Sequence, residues 1–399
     1  MKVAQVVLRF DAPGGVETNV RELSRHLRSQ GHDVEVFASD LFDEARWERR
    51  TDFPPTVDGV PVHRFPVRKQ LVPHLTLPLM VGLIDALAQS GAEVIHAHSH
   101  RYGHVLQAAA VARRCRIPFV VSTSYHPPDR RESRRNRAIF RLVDVGFGMT
   151  AYRTARAVVV QSEVEARRLR EFAPADRVRI LPPGVDLAEW GEAAHDRADG
   201  LDLPAEYFVF VGRLAPNKGL PSLVDGLAEM PPAQRRPVVF VGADWGERAL
   251  LEERARRRGV DGSLRWLGHL ADRRSYRAVI RGARALVLPS EWEAYGFVLL
   301  EAMAARTPIV ATAVGAVPEV LDGGRRGRLV PYGDLAQLAL ALRSVLEDPA
   351  AARQRADAAW AWVQGLDWSV SARRFGDLYR EVAGGGGARR SSRISSPPT

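Results

Sequence analysis

The sequence predicts an α/β protein with two doubly wound domains, each with a parallel sheet covered by helices on both faces. Along both halves of the chain, short runs that are apolar nearly throughout alternate with amphipathic helical segments. Such strands are typical of parallel sheets that are buried on both faces. The length of 399 residues allows about two to three domains, and a content of 46% hydrophobic and 26% charged residues is ordinary for a globular protein.

Thirteen β-rich runs are the predicted strands. In the first half they are KVAQVVLR, VEVFA, VPVHRF, EVIHAH, IPFVVSTS, RAVVVQS and RVRILPP. In the second half they are YFVFVGRL, PVVFVGA, LRWLGH, ARALVLPS, PIVAT and RGRLV. The segments between them are predicted helices, because apolar residues recur there at spacings of three and four, as in Val16, Val20, Leu23 and Leu27.

The positions of proline and glycine and the loss of apolar periodicity predict the domain limits. An N-terminal domain covers residues 1–184 and a C-terminal domain covers 205–366. The linker between them, 185–204, contains Pro and Gly and has no sustained periodicity. Residues 367–383 have apolar residues at broadly helical spacing and predict a closing helix. Residues 384–399 are Gly, Ser, Pro and Arg without apolar content, so a disordered tail is expected.

Cysteine usage and hydropathy indicate the compartment. The chain has one cysteine, Cys115, which excludes a disulfide framework and a thiolate metal cluster. Its start, MKVAQVVLRFDAPGG, lacks the pattern of a signal peptide, and no apolar run is long enough to cross a bilayer. A cytoplasmic protein is expected.

The basic character of the chain indicates anionic partners. The formal net charge is +10, and the basic residues are nearly all arginine, since lysine occurs only at positions 2, 69 and 218. Such a charge attracts phosphates on nucleic acid, on a membrane surface or on a small nucleotide. An equal alternative is that the arginine content reflects only a coding preference. The arginines are not interleaved with aromatic residues and no recognition motif is present, so no nucleic-acid partner is expected.

Glycines and cations follow two predicted strands, where ligands bind in open parallel sheets. Gly14 and Gly15 come after the first strand and let backbone N–H groups approach an anion at a helix start, or form a plain tight turn. Arg213 and Lys218 flank a Pro-Asn turn before a helix that opens at Gly219. They are candidates to bind one diphosphate, and the alternative is two solvated loop cations.

Glu293 and Glu301 lie in the apolar stretch PSEWEAYGFVLLEAM. Glu293 lies in a loop, and Glu301 lies about one turn into a helix that begins near Phe297. A buried carboxylate without a partner is costly, so each is expected to pair or to face a cavity. Hydroxyl groups of a sugar or a ribose are suitable partners.

Together these segments resemble a known family. GGVE, GRLAPNKG, PSEWEAYGFVLLEAMAARTPIVAT with two glutamates separated by seven residues, and GAVPEVLDGGRRGRLV occur in the order found in the retaining GT-B glycosyltransferases of family 4. The resemblance extends over nearly the whole chain. It implies two Rossmann-like domains that face each other across a cleft, of which the first binds the acceptor and the second the nucleotide sugar. It also implies a terminal helix that crosses back to the first domain.

The resemblance assigns roles to the donor-binding residues. Arg213 and Lys218 would hold the donor diphosphate, which Gly15 and its neighbour Gly14 approach from the opposite domain. Glu301 would accept hydrogen bonds from the ribose. A further group would hold the transferred sugar and its phosphate: Glu293 and the backbone N–H groups of Tyr295, Gly296 and Phe297.

The resemblance also places His126, which ends VVSTSYH, beside the anomeric carbon as a catalytic residue. A structural or surface role is the alternative for a histidine after a strand. His96, His98 and His100 share a strand face, but no Asp or Glu is near them in sequence, so a metal site is the lesser alternative.

Two positions depart from the family pattern. Arg306 stands where the family usually has a glycine after its helix, which puts the tightness of that turn in doubt. The SYH context of His126 is not the commonest form and leaves the acceptor and the sugar open.

The implied activity is retaining transfer of a hexose from a nucleoside-diphosphate sugar, such as GDP-mannose or a UDP-sugar, to a hydroxyl of a glycan or lipid-linked acceptor. No metal or cofactor is expected, because the two cations stabilise the leaving diphosphate. A nucleotide-sugar epimerase on the same GT-B architecture is the alternative.

A basic amphipathic segment suggests a membrane partner. In DRRESRRNRAIFRLVDVGFGM, three arginines at positions 134, 137 and 141 are predicted to lie opposite Ile139, Leu142, Val143 and Phe147. This pattern suits peripheral binding to the anionic inner face of a membrane. A domain helix with a solvated cationic face is the alternative.

Overall fold

The computed structural model describes residues 1–11, 14–44, 47–72, 75–127, 133–192 and 200–384, with the backbone alone for 69–77 and 192. The chain forms two compact units, which divide at Gly184 and again at Trp368. Residues 1–184 and those from 368 onward form the first unit, and residues 185–367 form the second. Apart from Gly384, the tail predicted to be disordered lies outside the described residues.

The first unit contains twelve strands in its described part. They are β1 (Lys2–Val6), β2 (Asp33–Ser39), β3 (Leu41–Asp43), β4 (Glu48–Arg49), β5 (Thr56–Val57), β6 (Val60–Phe65), β7 (Val67–Val72), β8 (Leu75–Met80), β9 (Val94–His98), β10 (Phe119–Ser122), β11 (Ala157–Val160) and β12 (Val178–Ile180). The helices that precede the second unit are α1 (Gly15–Ser29), α2 (Leu83–Gln89), α3 (Gly103–Cys115), α4 (Arg134–Phe147) and α5 (Glu163–Leu169). A π-helical turn, Gly148–Tyr152, continues α4.

The main sheet of the first unit has the strand order β12-β11-β10-β9-β1-β2-β6-β5. All its pairs are parallel except the hairpin of β5 and β6 at one edge. The seven strands predicted in this half all form, which confirms the α/β fold class. The sequence prediction missed the antiparallel pair β7 and β8, because its apolar residues follow β6 without a turn signal.

The second unit has one described sheet with the order β15-β14-β13-β16-β17-β18, and all its pairs are parallel. Its strands are β13 (Phe208–Val211), β14 (Val238–Val241), β15 (Leu264–Gly268), β16 (Ala285–Leu288), β17 (Ile309–Thr312) and β18 (Arg328–Val330). Its helices are α6 (Leu187–Glu192), α7 (Leu220–Glu229), α8 (Arg248–Arg258), α9 (Arg273–Arg281), α10 (Phe297–Ala304), α11 (Val317–Val320), α12 (Leu335–Glu347) and α13 (Pro349–Val363). The six predicted strands all form. Helix α6 lies where the sequence suggested an irregular linker.

The closing helix, α14 (Trp368–Ala383), packs on the first unit. Consecutive residues of a strand point to opposite faces, so Val3 and Ala4 enter different apolar clusters. The cluster that contains Val3 also contains Phe375 and Tyr379 of α14, which cover that face of the sheet. The sheet is therefore covered on both faces, as its apolar strands predict.

The turn after α10 stays tight although Arg306 occupies the position where the family usually has a glycine. This residue has φ 56°, in the left-handed region that a glycine adopts without strain. The backbone N–H of Thr307 still donates to the carbonyl of Ala302, at 2.9 Å. The guanidinium of Arg306 stacks over the ring of Trp360, with 3.8 Å to the centroid, which offsets part of a strain of about 1 kcal/mol. The departure from the family pattern thus leaves the turn intact.

The histidines of β9 form a buried hydrogen-bond network. The Nδ1 and Nε2 atoms of His96 lie 2.7 Å from the hydroxyl of Tyr379 and 2.8 Å from that of Ser122. His98 Nε2 donates to Gln5 Oε1 at 2.7 Å, and Gln5 Nε2 donates to the Tyr379 hydroxyl at 3.1 Å. The network therefore joins α14 to the centre of the sheet. Within the described parts of the chain, no group of three or more His, Cys, Asp or Glu residues is arranged to hold a metal ion.

Burial keeps His96, His98 and their neighbour His104 on α3 neutral; His104 Nε2 lies 2.8 Å from the carbonyl of His98. It lowers the pKa of His98 to about 3 and that of His104 to about 4, and it lowers the pKa of His96 well below its usual value. Separately, none of the helices that the structure describes is long and apolar enough to cross a membrane.

We predict that the protein loses stability in mild acid. Below an unfolded-state pKa of about 6.5, the unfolded chain binds protons that the folded histidines exclude, so the free energy of unfolding falls as the pH drops towards 4. Each such histidine contributes a loss of about 1 kcal/mol between pH 6 and pH 5. Urea titrations at several pH values measure this loss.

The matched variants are His98→Gln, which retains a hydrogen-bonding side chain beside Gln5, and His269→Gln, which changes an exposed histidine. His98→Gln should flatten the pH dependence, whereas His269→Gln should leave it unchanged. An equal pH dependence in all three proteins would contradict the assignment to the buried network.

Candidate functional site

In the second unit, the loops after β13 and β16 touch each other at the carboxyl edge of the sheet. Gly219 has φ 63°, and a Cβ atom there would lie 2.0 Å from the carbonyl oxygen of Pro289. The backbone N–H of Glu291 donates to the carbonyl of Asn217 at 3.0 Å. Only glycine permits this approach, so the sequence NKG brings the two loops together.

Glu293 and Lys218 form an ion pair where these loops meet. Lys218 Nζ donates to Glu293 Oε1 at 2.6 Å, and the hydroxyl of Ser290 donates to the same oxygen at 2.6 Å. Glu293 is only 8% exposed. The expected partner of this buried carboxylate is therefore present within the protein, and it is one of the two predicted phosphate-binding cations.

A third loop, after β17, fixes the backbone of Glu293. Gly315 has φ 55°, and a Cβ atom there would lie 1.8 Å from the Glu293 carbonyl oxygen. The backbone N–H of Ala316 donates to that oxygen at 3.2 Å. Three loops thus hold Glu293, which limits the positions that its side chain can adopt.

Arg213 lies against an aromatic residue that the sequence prediction missed. Its guanidinium carbon is 4.3 Å from the ring centroid of Trp245, which lies in the loop after β14. The backbone N–H of Trp245 donates to the carbonyl of Leu214 at 3.0 Å, and that of Leu214 donates to Ala243 at 2.9 Å. A stack of this kind restricts the orientation of the guanidinium. A tryptophan in the polar loop GADWGER was the only sequence signal for it.

Glu301 lies on α10, which begins at Phe297 after Gly296 at φ 84°. The hydroxyl of Tyr276 donates to Glu301 Oε2, and Arg273 Nη1 lies 3.7 Å from Oε1. Burial raises the pKa of Glu301, although the charge of Arg273 and the hydrogen bond from Tyr276 oppose this effect. Glu301 is thus a half-buried carboxylate with partners on the neighbouring helix α9.

Glu189 connects α9 to the segment that was expected to be a linker. It accepts two hydrogen bonds of 2.8 Å from Arg273 and one of 2.7 Å from Arg277. Burial alone would raise the pKa of Glu189, but hydrogen bonds and charges from the two arginines lower it overall. Since Glu189 holds Arg273 beside Glu301, it belongs to the surroundings of the candidate site.

The residues that follow Glu293 lead into the N-terminus of α10. Tyr295 is buried, and Gly296 and Phe297 open α10. The N–H groups in the first turn of an α-helix have no intrahelical acceptor and carry partial positive charge. The start of α10 therefore offers hydrogen-bond donors close in sequence to Glu293.

In the first unit, α1 begins at Gly15, as predicted. Gly14 has φ 177°, which is extended backbone, so its conformation does not require glycine. A Cβ atom at Gly14 would instead lie 2.1 Å from Oε2 of Glu17. Glu17 is nearly buried and pairs with Arg9 at 2.7 Å. The start of α1 therefore has a carboxylate of the protein beside it, and the glycine makes room for this side chain.

His126 is exposed and follows β10. Buried carboxylates hold its neighbour: Glu165 accepts from the backbone N–H of Tyr125 at 2.7 Å, and Asp144 accepts from the Tyr125 hydroxyl at 3.3 Å. Glu165 also accepts from the hydroxyl of Thr123. The sequence prediction missed these carboxylates, because each lies in a helix distant from His126 along the chain.

Asp144 also anchors the loop after β9. It accepts from His100 Nε2 at 2.7 Å and from the guanidinium of Arg101, and the hydroxyl of Tyr152 donates to His100 Nδ1. His100 therefore links the loop after β9 to α4. His126 is exposed, whereas the three histidines of VIHAHSH are buried.

We predict that the Lys218–Glu293 pair is important for stability. Lys218→Met leaves a nearly buried carboxylate without its counter-ion, so unfolding should become easier by about 1 to 3 kcal/mol, or several degrees in Tm. The double variant Lys218→Met/Glu293→Gln should recover part of this loss. As a control, Arg343→Met breaks an exposed pair with Glu347 and should cost less than about 0.5 kcal/mol. Equal losses from both single variants would contradict the assignment.

Comparisons with known proteins identify the family of the chain. The sequence profile of Glycosyl transferases group 1 matches residues 192–361, and that of Glycosyltransferase Family 4 matches residues 13–189. The chain is 29% identical to the glycogen synthase of Mycobacterium tuberculosis, over 92% of this chain and 91% of that protein. It is 30% identical to the D-inositol 3-phosphate glycosyltransferase of Frankia alni, over 92% and 95%.

A solved structure with a similar fold is that of HepE from Anabaena in complex with UDP and glucose. Its TM-score is 0.73 at 20% identity, over 95% of this chain and 99% of that chain. Because the two family profiles together extend over most of the chain and a relative at 30% identity covers 92% of it, the chain belongs to the group 1 glycosyltransferases, which have the GT-B fold.

Proposed function

We propose that the protein transfers a hexose from a nucleoside-diphosphate sugar, GDP-mannose or a UDP-sugar, to a hydroxyl of a glycan or lipid-linked acceptor with retention of configuration. The observation that carries this proposal is the Lys218–Glu293 pair at the junction of three loops. Family membership and the UDP and glucose bound to the Anabaena protein support a nucleotide-sugar donor.

Lys218 and Arg213 bind the donor diphosphate in this proposal. Each cation is held by a neighbour, Lys218 by Glu293 and Arg213 by the ring of Trp245. Restraint of this kind lowers the entropy lost when a ligand binds. Negative charge builds up on the diphosphate as the sugar leaves, and fixed positive groups stabilise that charge. No side chain is then required as a nucleophile.

The two glutamates bind different parts of the donor. Glu301 accepts hydrogen bonds from the ribose, and the hydroxyl of Tyr276 and the charge of Arg273 orient its carboxylate. Glu293 and the backbone of Tyr295, Gly296 and Phe297 hold the hexose and the phosphate next to it. His126 lies beside the anomeric carbon, and Gly14 and Gly15 contribute backbone N–H groups from the first unit.

The proposed reaction takes place in the cytoplasm and requires neither a metal ion nor a cofactor. The exposed thiol of Cys115 suits a reducing compartment. The positive charges of Arg213 and Lys218 perform the task that a divalent cation performs in other transferases.

We predict acceptor-dependent release of nucleoside diphosphate. The protein is incubated with GDP-mannose or with UDP-glucose, with and without glycan and lipid-linked acceptors, in the presence of a chelator. Product release should depend on one donor and one acceptor class. It should fall about 100-fold or more in Arg213→Met, because a cation at the leaving group is lost. Arg343→Met serves as a surface control and should retain full activity.

Other outcomes of this assay contradict parts of the proposal. Conversion of the donor into a second sugar nucleotide without any acceptor would identify an epimerase. Loss of activity in chelator that a divalent metal restores would disprove independence from metal. An inverted anomeric configuration in the product would disprove retention.

We predict that the two glutamates differ in their effect on nucleoside diphosphate binding. Glu301→Gln should weaken binding of the free nucleoside diphosphate by about ten- to a hundredfold, because hydrogen bonds from ribose to a charged acceptor contribute about 1.5 to 3 kcal/mol. Glu293→Gln should leave this binding nearly intact, because the amide oxygen can still accept a hydrogen bond from Lys218, and it should reduce turnover of the whole donor. Calorimetry with the nucleoside diphosphate measures the first effect, and steady-state kinetics measure the second.

Glu253→Gln, on the solvent-exposed surface of α8, is the control and should change neither quantity. If Glu293→Gln loses the nucleotide while Glu301→Gln retains it, the two roles are reversed. If neither variant affects binding or turnover, the glutamates are structural.

A further inference from the structure

Helix α4 exposes apolar side chains on its outer face. Leu142 is 73% exposed, Val145 is 38% exposed, and Met149 in the π-helical turn is 57% exposed. Their spacings of three and four residues place them in one stripe along the helix. The sequence analysis placed Leu142 with Ile139 opposite the arginines; in the structure Leu142 is exposed, whereas Ile139 is half-buried.

Arginines surround this stripe. Arg134, Arg135, Arg137 and Arg141 are exposed, and helical spacing places Arg135 and Arg137 on either side of the stripe. The one carboxylate of the segment from 134 to 152, Asp144, is 2% exposed and points inward to His100 and Arg101. We call the outer surface formed by these four arginines, Leu142, Val145 and Met149 the α4 face.

The charge of the α4 face differs from that of another arginine-rich helix. On α8, Arg248, Arg256 and Arg258 each pair with a glutamate, so most of the charge of that surface is compensated. On the α4 face, Arg141 pairs with Glu171 at 3.2 Å, but Arg134, Arg135 and Arg137 have no ion-pair partner among the described residues. The positive charge of the α4 face is therefore largely uncompensated within that part of the chain.

We propose that the α4 face docks onto an anionic lipid bilayer. A helix that presents cations beside exposed apolar side chains lies in the bilayer interface, where the cations contact lipid phosphates and the apolar side chains enter the acyl region. A second copy of this chain would bring the same cations close to one another, so charge complementarity favours the membrane. The net charge of +10 on the whole chain also favours binding to an anionic surface.

The inner face of α4 connects this docking surface to the loop of His126. Asp144 on α4 accepts a hydrogen bond from the hydroxyl of Tyr125, the residue before His126. The diameter of a helix with its side chains is about 10 Å, so the bilayer surface would lie about that far from Tyr125. Because the bilayer surface would lie this close to the loop of His126, we assign the acceptor to the lipid-linked class. This assignment rests on the proposed function, whereas docking itself does not.

The experiment is co-sedimentation of the full chain with vesicles of phosphatidylglycerol and phosphatidylcholine, compared with vesicles of phosphatidylcholine alone. Binding should occur only with the anionic vesicles and should weaken as salt is raised. Leu142→Glu should reduce binding at least about tenfold, because a charged side chain replaces an inserted apolar one. Arg134→Gln/Arg137→Gln should reduce it by about fivefold for each arginine at low salt.

Matched controls use exposed leucines of the second unit. Leu250→Glu on α8 and Leu340→Glu on α12 make the same change at similar exposure and should retain vesicle binding. Thermal melting of each variant checks folding, and calorimetry with a nucleoside diphosphate checks the second unit independently. Failure of docking is then distinguishable from failure of the proposed function.

Several results would overturn docking. They are equal binding to both vesicle types, binding that Leu142→Glu leaves unchanged, and an equal loss in Leu142→Glu and Leu250→Glu. A dimer in solution that Leu142→Glu converts to a monomer, without vesicle binding by the wild type, would show that a second copy covers the α4 face instead.

Discussion

The buried carboxylate of Glu293 is the constraint around which the second unit arranges its loops. A charge that is only 8% exposed needs a partner, and Lys218 and Ser290 provide it through one oxygen. Their approach requires the loops after β13 and β16 to touch, which the left-handed glycine at 219 permits. Gly315 brings the third loop against the Glu293 backbone for the same reason. Parallel strands make this possible, because their carboxyl ends meet at one edge of the sheet.

Both units use polar networks to order the residues beside the proposed site. In the second unit, Glu189 holds Arg273, which lies beside Glu301. In the first unit, Glu165 and Asp144 hold Tyr125 beside His126. In each case a carboxylate from another element holds a neighbour of the residue proposed to contact substrate. Precise side-chain placement of this kind is what a site needs when it acts by electrostatics and orientation.

In the first unit, helix α4 has a polar inner face that contacts loops of the unit and an outer face that is exposed to solvent. The inner face of α4 carries Asp144, which binds the loops after β9 and β10, and the outer face carries the arginines and apolar residues of the α4 face. A helix with two such faces can connect a surface to a site within a distance of one helix diameter. In the proposed function, the acceptor then reaches the loop of His126 from the lipid surface on which the protein lies.

The sequence by itself determined the parallel strands of the two main sheets, the α/β class and the positions of Arg213, Lys218, Glu293 and Glu301 after strands or in a first helical turn. These features depend on local patterns of apolar residues, glycines and prolines. Only the tertiary structure decided which side chains meet. Lys218 pairs with Glu293, Trp245 stacks on Arg213, and Tyr276 reaches Glu301 across separations of 25 to 75 residues. The same holds for Leu142, because a helical pattern shows which residues share a face, while the neighbouring elements decide which face is buried.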